Sequence, residues 1–199
     1  MNPLISIIIP TFNAKEYLEL CLKSIGNYED VEVIVVNDGS TDGTAVYLLS
    51  DITNNQFINF QENKGQSIAV NEGVKQAKGK YILLVNDDMV FMKNWREKLD
   101  KFLFLFSNNS FRKFHILIFQ LIEPTDTNNP DVQLMNLGKT IEDFQRERWM
   151  NLDSTADFLI ANSKRNLPFI MKKEDWIDWD ENLRFLCDTD WWIRTEKEG

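Results

Sequence analysis

Two adjacent carboxylates, Asp87 and Asp88, follow the apolar run Tyr81-Ile82-Leu83-Leu84-Val85, with only Asn86 between. Neighbouring carboxylates at the end of a buried strand repel one another and lose hydration, so they need a cation or another positive group beside them. A hard divalent ion suits this chemistry, because it takes oxygen from one or two carboxylates and completes its shell with substrate phosphates. On this reading Asp88 is the metal ligand and Asp87 contacts a ribose or a sugar. An ordinary acidic turn or a helix N-cap is the plainer alternative.

Three further polar clusters interrupt apolar runs. Pro10-Thr11-Phe12-Asn13 closes the first run, Asp38-Gly39-Ser40-Thr41-Asp42-Gly43-Thr44 the second, and Asn63-Lys64-Gly65-Gln66 comes soon after the third. A carboxylate at a strand tip, such as Asp38, can accept a hydrogen bond from the ring NH of uracil, and Gly39 permits close backbone approach. Ser40 and Thr41, with Asp42, are also expected to supply the cap of the helix that follows, the role falling first to Ser40 or Thr41. Lys64 and Gly65 offer a cation and a permissive backbone to a base or a phosphate, with a solvated lysine in a turn as the alternative.

The elements that must position these clusters are legible as alternating strands and helices. Leu4 to Pro10, Val31 to Asn37, Phe57 to Gln61 and Tyr81 to Asn86 read as strands. Runs such as Ile7-Ile8-Ile9 and Val33-Ile34-Val35-Val36 are β-branched without polar alternation, as in strands covered on both faces. Helical patterns fill the gaps at Lys15 to Ile25, Thr41 to Ile52 and Gln66 to Ala77, the last closed by Gly79. This order predicts an α/β fold with right-handed crossovers: a mostly parallel central sheet, helices on both faces, and ligands in the crevice at the carboxyl ends of the strands. Beyond it, Trp95 to Phe106 reads as an amphipathic helix, His115 to Ile122 as a buried strand, Glu123 to Pro130 as an exposed loop and Pro168 to Met171 as a short strand. Val132 to Arg165 has no clear pattern.

Composition narrows the partners. A length of 199 residues suits a single domain. The formal net charge of −9 disfavours binding to nucleic acid or an anionic lipid surface, so a small anionic ligand would need a local cation. Cys21 and Cys187 form no CxxC pair and are expected to be reduced thiols. The start lacks a signal peptide's basic region, and no apolar run approaches the roughly 18 residues of a membrane span, so a cytoplasmic setting is expected. His115 is the only histidine and is expected to be structural, and no Ser-His-Asp or Cys-His system is evident.

The ordered segments Ser6 to Asn13, Val36 to Thr44, Asn63-Lys64-Gly65, Asn71-Glu72-Gly73 and Leu84 to Asp88 resemble the motifs of family 2 glycosyltransferases with the GT-A fold. That resemblance implies inverting transfer from a nucleotide-sugar donor, most simply a UDP-sugar, to a hydroxyl of a glycan, lipid-linked or protein acceptor, assisted by Mn2+ or Mg2+. It places Pro10, Thr11, Asn13, Asp38, Gly39, Lys64, Gly65, Asn71, Asn86 and Asp87 around the donor and Asp88 on the metal. Asn86 stands where the family often has its first carboxylate. Residues 1–95 would form the nucleotide-sugar half and 96–199 the acceptor-side half of one domain.

The tail, Cys187-Asp188-Thr189-Asp190-Trp191-Trp192-Ile193-Arg194, resembles the family segment in which an acid before Asp-x-x-x-Arg serves as general base. Inversion by direct displacement needs such a carboxylate on the face opposite the leaving nucleotide. Asp188 is the first candidate and Asp190 the second, the latter also able to cap a helix or orient its neighbour. Trp176, Trp179, Trp191 and Trp192 are expected mostly in the core, with one near the acceptor. Two other readings stay open: a nucleotidyltransferase, although no glycine-rich basic loop follows the first strand, and a non-catalytic module that binds nucleotide-sugars or glycans.

Overall fold

A computed structural model of the chain describes residues 2–50, 55–91, 94–107, 116–119, 158–159, 169–183, 190–191 and 194–195. The first half alternates as expected: β1 (Ile5–Thr11), α1 (Lys15–Ile25), β2 (Val31–Asn37), α2 (Thr44–Ser50), β3 (Gln56–Asn59), α3 (Gln66–Gln76), β4 (Tyr81–Leu84) and α4 (Trp95–Ser107). The second half adds β5 (Ile116–Phe119), β6 (Phe158–Leu159) and β7 (Phe169–Lys172).

These strands form one 7-stranded sheet in the order β3-β2-β1-β4-β7-β5-β6. Strands β3, β2, β1 and β4 are parallel neighbours, in register from Ile5 opposite Val31 and Tyr81. The other three pairings, β4 with β7, β7 with β5 and β5 with β6, are antiparallel, so the sheet is mixed beyond β4. A short apolar strand covered on both faces reads alike in either direction, which is why its sequence carries no sign of this reversal.

The period of two along each strand sorts the core into two layers. On one face Ile5, Ile7, Ile9, Val33, Val35, Leu83 and Val85 pack with Leu18, Cys21 and Ile25 of α1, Leu48 of α2 and Trp95, Leu99 and Leu103 of α4. On the other, Ile8, Ile34, Val36, Ile82, Leu84, Phe169 and Met171 meet Ala69, Val70 and Val74 of α3 together with Trp179 and Trp191. Helices therefore cover both faces. Gly73 lets α3 sit flush on the sheet, since a Cβ there would lie 2.6 Å from Cγ2 of Ile8. Three of the four late tryptophans join this second layer: Phe169 stacks on Trp191 at 4.9 Å, and Trp176 and Trp179 lie 5.4 and 6.4 Å from the Trp191 ring. Among the described residues no helix is long and apolar enough to cross a membrane.

Candidate donor-binding edge of the sheet

After β1 the chain steps outward through β2 to β3, then returns to place β4 on the other side of β1. The gap between the carboxyl ends of β1 and β4 is thus the switch point of the parallel strands, where open α/β sheets bind ligands. Pro10 helps to open it. Val85 donates its N–H to the Ile8 carbonyl at 3.1 Å, so the next amide of β1 facing that side belongs to residue 10. Proline has none, and the ladder between β1 and β4 stops there. Thr11 and Phe12 lie on one lip of the gap and Asn86, Asp87 and Asp88 on the other.

The loops around this gap are tied to one another. Asp38 donates its N–H to the Thr11 carbonyl at 2.9 Å, Thr41 donates its N–H to Oδ1 of Asn13 at 2.7 Å, and Asn13 donates its own to Oγ of Ser40 at 2.9 Å. Asn13 holds a left-handed φ of 52°, which asparagine tolerates better than most residues. Ser40 and Thr41 therefore bind the neighbouring loop and do not cap α2. That task falls to Asp42, whose Oδ1 accepts the Thr44 N–H at 3.0 Å and the Thr44 hydroxyl at 2.5 Å. Partial burial acts to raise this carboxyl, but the bonds from the Thr44 hydroxyl and the Lys15 and Thr44 amides hold it below the usual carboxylate range.

Asp38 is buried, and both its oxygens point at the loop after β3: Oδ1 accepts the Lys64 N–H at 2.7 Å and Oδ2 the Gly65 N–H at 2.9 Å. Gly39, with φ of 74°, lies so close to that loop that a Cβ would sit 2.4 Å from the Glu62 carbonyl carbon. The close approach expected at Gly39 is real, but the partner is the protein's own backbone. The Lys64 ammonium lies 4.7 Å from the centre of the Phe60 ring.

On the other lip, burial pushes the Asp87 carboxyl up to about 6; the nearby Thr11 hydroxyl opposes the rise, the Asp88 charge adds to it, and backbone amides oppose it further. The Thr11 hydroxyl is itself buried and makes no hydrogen bond of acceptable geometry. Asp88 is exposed. Beneath the pair, Sγ of Cys21 lies 3.9 Å from the Asn86 carbonyl, and burial, with Asp87 and then Asp88, pushes this thiol up so that it stays protonated. A part-buried carboxyl that resists ionisation next to an exposed carboxylate fits a hard divalent cation held through Asp88 and completed by water and phosphate. Among the described residues no group of three or more His, Cys, Asp or Glu side chains could hold an ion unaided.

Asn71 is expected beside the donor, but the structure gives it another task. It is buried in α3, accepts the Trp179 N–H on Oδ1 at 2.8 Å, and donates through Nδ2 to the Trp179 carbonyl at 2.9 Å and to Oε1 of Glu181 at 3.0 Å. No sequence signal separates such an inward asparagine from a ligand-binding one. The exposed Phe12 ring and the Cys21 thiol are further residues of this edge to which the motifs assign no role. In the tail, Asp190 accepts a hydrogen bond from Nε of Arg194 at 2.8 Å. Asp188, Cys187, Trp192, His115 and the stretch from Glu123 to Arg165, except Phe158 and Leu159, lie outside the described residues.

The model for glycosyl transferase family 2 matches residues 6–103, from β1 into α4. That stretch, about half of the chain, belongs to glycosyl transferase family 2. Among curated members the chain is 37% identical over 106 residues to glycosyltransferase GlyG of Streptococcus pneumoniae, covering 50% of this chain and 35% of that protein. It is 28% identical over 196 residues to the uncharacterized glycosyltransferase RP339 of Rickettsia prowazekii, covering 97% of this chain and 58% of that one. The chain thus spans a third to three-fifths of these relatives. The crystal structure of Staphylococcus aureus TarS 1-349 in complex with UDP superposes on 96% of this chain and 54% of that one, with a TM-score of 0.66 and 20% identity, which supports the GT-A fold. In complex with UDP-GlcNAc, TarS matches 63% of this chain and 36% of that one at 26% identity, with a TM-score of 0.50.

Proposed function

We propose that this chain is a glycosyltransferase that moves a hexose-type sugar from a UDP-sugar to an acceptor hydroxyl with inversion, with Mn2+ or Mg2+ bound through Asp88. The observation that carries the reading is the Asp87–Asp88 pair at the switch point, one carboxyl part-buried and reluctant to ionise, the other exposed. The likeness to TarS with UDP-GlcNAc supports uridine as the base.

In this reading Thr11, Asn13 and the loop fixed by Asp38 surround base and ribose, Lys64 and Gly65 add a cation and backbone amides, and Asp87 contacts ribose or sugar. A bound divalent cation supplies charge neutralisation for the diphosphate as it leaves. The acceptor oxygen forms its bond to the anomeric carbon as the bond to the diphosphate breaks, and its proton passes to a carboxylate on the opposite face. Asp188 is that base. The Asp190 carboxylate already receives the Arg194 guanidinium, which suits an orienting role better than proton abstraction.

A panel of UDP-, GDP- and dTDP-sugars, each tested for thermal stabilisation with and without Mn2+, checks the donor. A ligand at 100 times its Kd should add about 2.7 kcal/mol of stability. UDP-sugars should raise Tm, and more so with Mn2+. Silence from every nucleotide defeats the enzyme reading.

A further inference from the structure

We propose that Asn71 is a positioning residue for transfer: from the inner face of α3 it sets the acidic C-terminal segment relative to the donor edge of the sheet. This rests on the reading above, in which that segment takes the acceptor's proton.

Residues 176–180 form no regular secondary structure, so their backbone groups need partners from elsewhere. Three side chains capture three successive carbonyls. Nε1 of Trp191 donates to Ile177 at 2.5 Å, Nη1 of Arg194 to Asp178 at 2.9 Å, and Nδ2 of Asn71 to Trp179 at 2.9 Å. Asn71 alone also takes the N–H of the residue it holds, gripping Trp179 at both backbone groups as a strand neighbour would. A single hydrogen bond leaves a segment free to pivot, whereas this pair fixes its direction. Nδ2 reaches Glu181 as well, and one turn earlier on α3 the Ser67 hydroxyl donates to the Leu183 carbonyl at 3.1 Å.

The two ends of this linkage explain its use. At one end, α3 begins at the Lys64 and Gly65 amides held by Asp38, at the tip of β2, and Gly73 seats the helix on the sheet with no room to slide. At the other, Arg194 binds the Asp178 carbonyl and the Asp190 carboxylate together. A continuous set of bonds thus runs from Asp38 through α3 and Asn71 to Asp190. Asn71 itself is not a catalytic residue, because its amide is committed to protein groups.

The test compares wild type with Asn71→Ala in three measurements: hydrogen exchange across 177–183, affinity for UDP with Mn2+, and the saturating rate of UDP release from UDP-GlcNAc, UDP-glucose and UDP-galactose. Misplacing a catalytic group by about 1 Å can cost 100-fold, so the saturating rate should fall about 10- to 100-fold. Exchange across 177–183 should rise, and the Kd for UDP should stay within about twofold. A variant that weakens UDP binding but keeps the saturating rate would return Asn71 to the donor site and overturn the proposal, as would unchanged exchange. If Asn71→Ala does not fold, Arg194→Ala, altering a part-exposed side chain at the far end, decides: the same pattern supports the linkage, and a wild-type rate overturns it. Wild-type protein that binds UDP yet releases none from any of the three donors instead refutes the enzymatic reading, and this inference with it.

Discussion

Gly65 donates its N–H to Oδ2 of Asp38 at 2.9 Å, joining the loop after β3 to the tip of β2. The companion bond from Lys64 makes this carboxylate an organiser of the loop that would meet the nucleotide. Asp38→Ala should remove about 1–3 kcal/mol of stability by deleting two part-buried hydrogen bonds to a carboxylate, and should weaken UDP binding through the displaced loop. Asp38→Asn, which keeps one acceptor, should lose less. Chemical unfolding and UDP titration of both variants measure the two effects.

Gly39→Ala is predicted to be more damaging than its size suggests. A left-handed φ costs an L-residue about 1–2 kcal/mol, and here the added Cβ also meets backbone that cannot turn away. Tm should drop by several degrees, with α2 and the β3–α3 loop exchanging faster.

The Asp87 carboxyl, raised by burial to about 6 against an ordinary value near 3.8, gives metal-free protein a definite pH response. Below the lower value both folded and unfolded chains are protonated and nothing is lost. As pH rises towards 6 the unfolded chain releases its proton first, so folding stability falls, by up to about 2–3 kcal/mol for a shift of this size. Asp87→Asn should flatten that decline between about pH 4 and 6 and raise metal-free Tm at neutral pH, while lowering turnover. A Tm series against pH in EDTA tests the sign.

Asp188→Asn should cut turnover by about 100- to 10,000-fold with UDP affinity retained, since general-base assistance is of that order. Asp88→Ala should weaken both turnover and Mn2+-dependent UDP binding. Steady-state UDP release, paired with calorimetric titration, separates the two patterns.

Much of this was legible in the residues. Ile7-Ile8-Ile9 and Val33 to Val36 identify strands buried on both faces, and the polar clusters after them mark the carboxyl edge, because a parallel sheet can put such groups only at its rim. Direction and partnership were not legible. Phe169 to Lys172 reads as a strand whichever way it runs, and its place beside β4 depends on contacts between distant segments. Asn71 misleads for a similar reason: an amide that can serve a ligand can equally serve a backbone, and only the placement of Trp179 decides. Of the three residues expected to cap α2, Asp42 alone does so, because Asn13, across the loop, claims Ser40 and Thr41.

Because β4 has β1 on one flank and β7 on the other, a nascent chain emerging from the ribosome completes the parallel strands long before residues 169–172 exist. Until then the far flank of β4 is an open template of unpaired amides and carbonyls. Truncations that stop short of β7 should therefore be prone to aggregate, and chaperones should find their target on that flank.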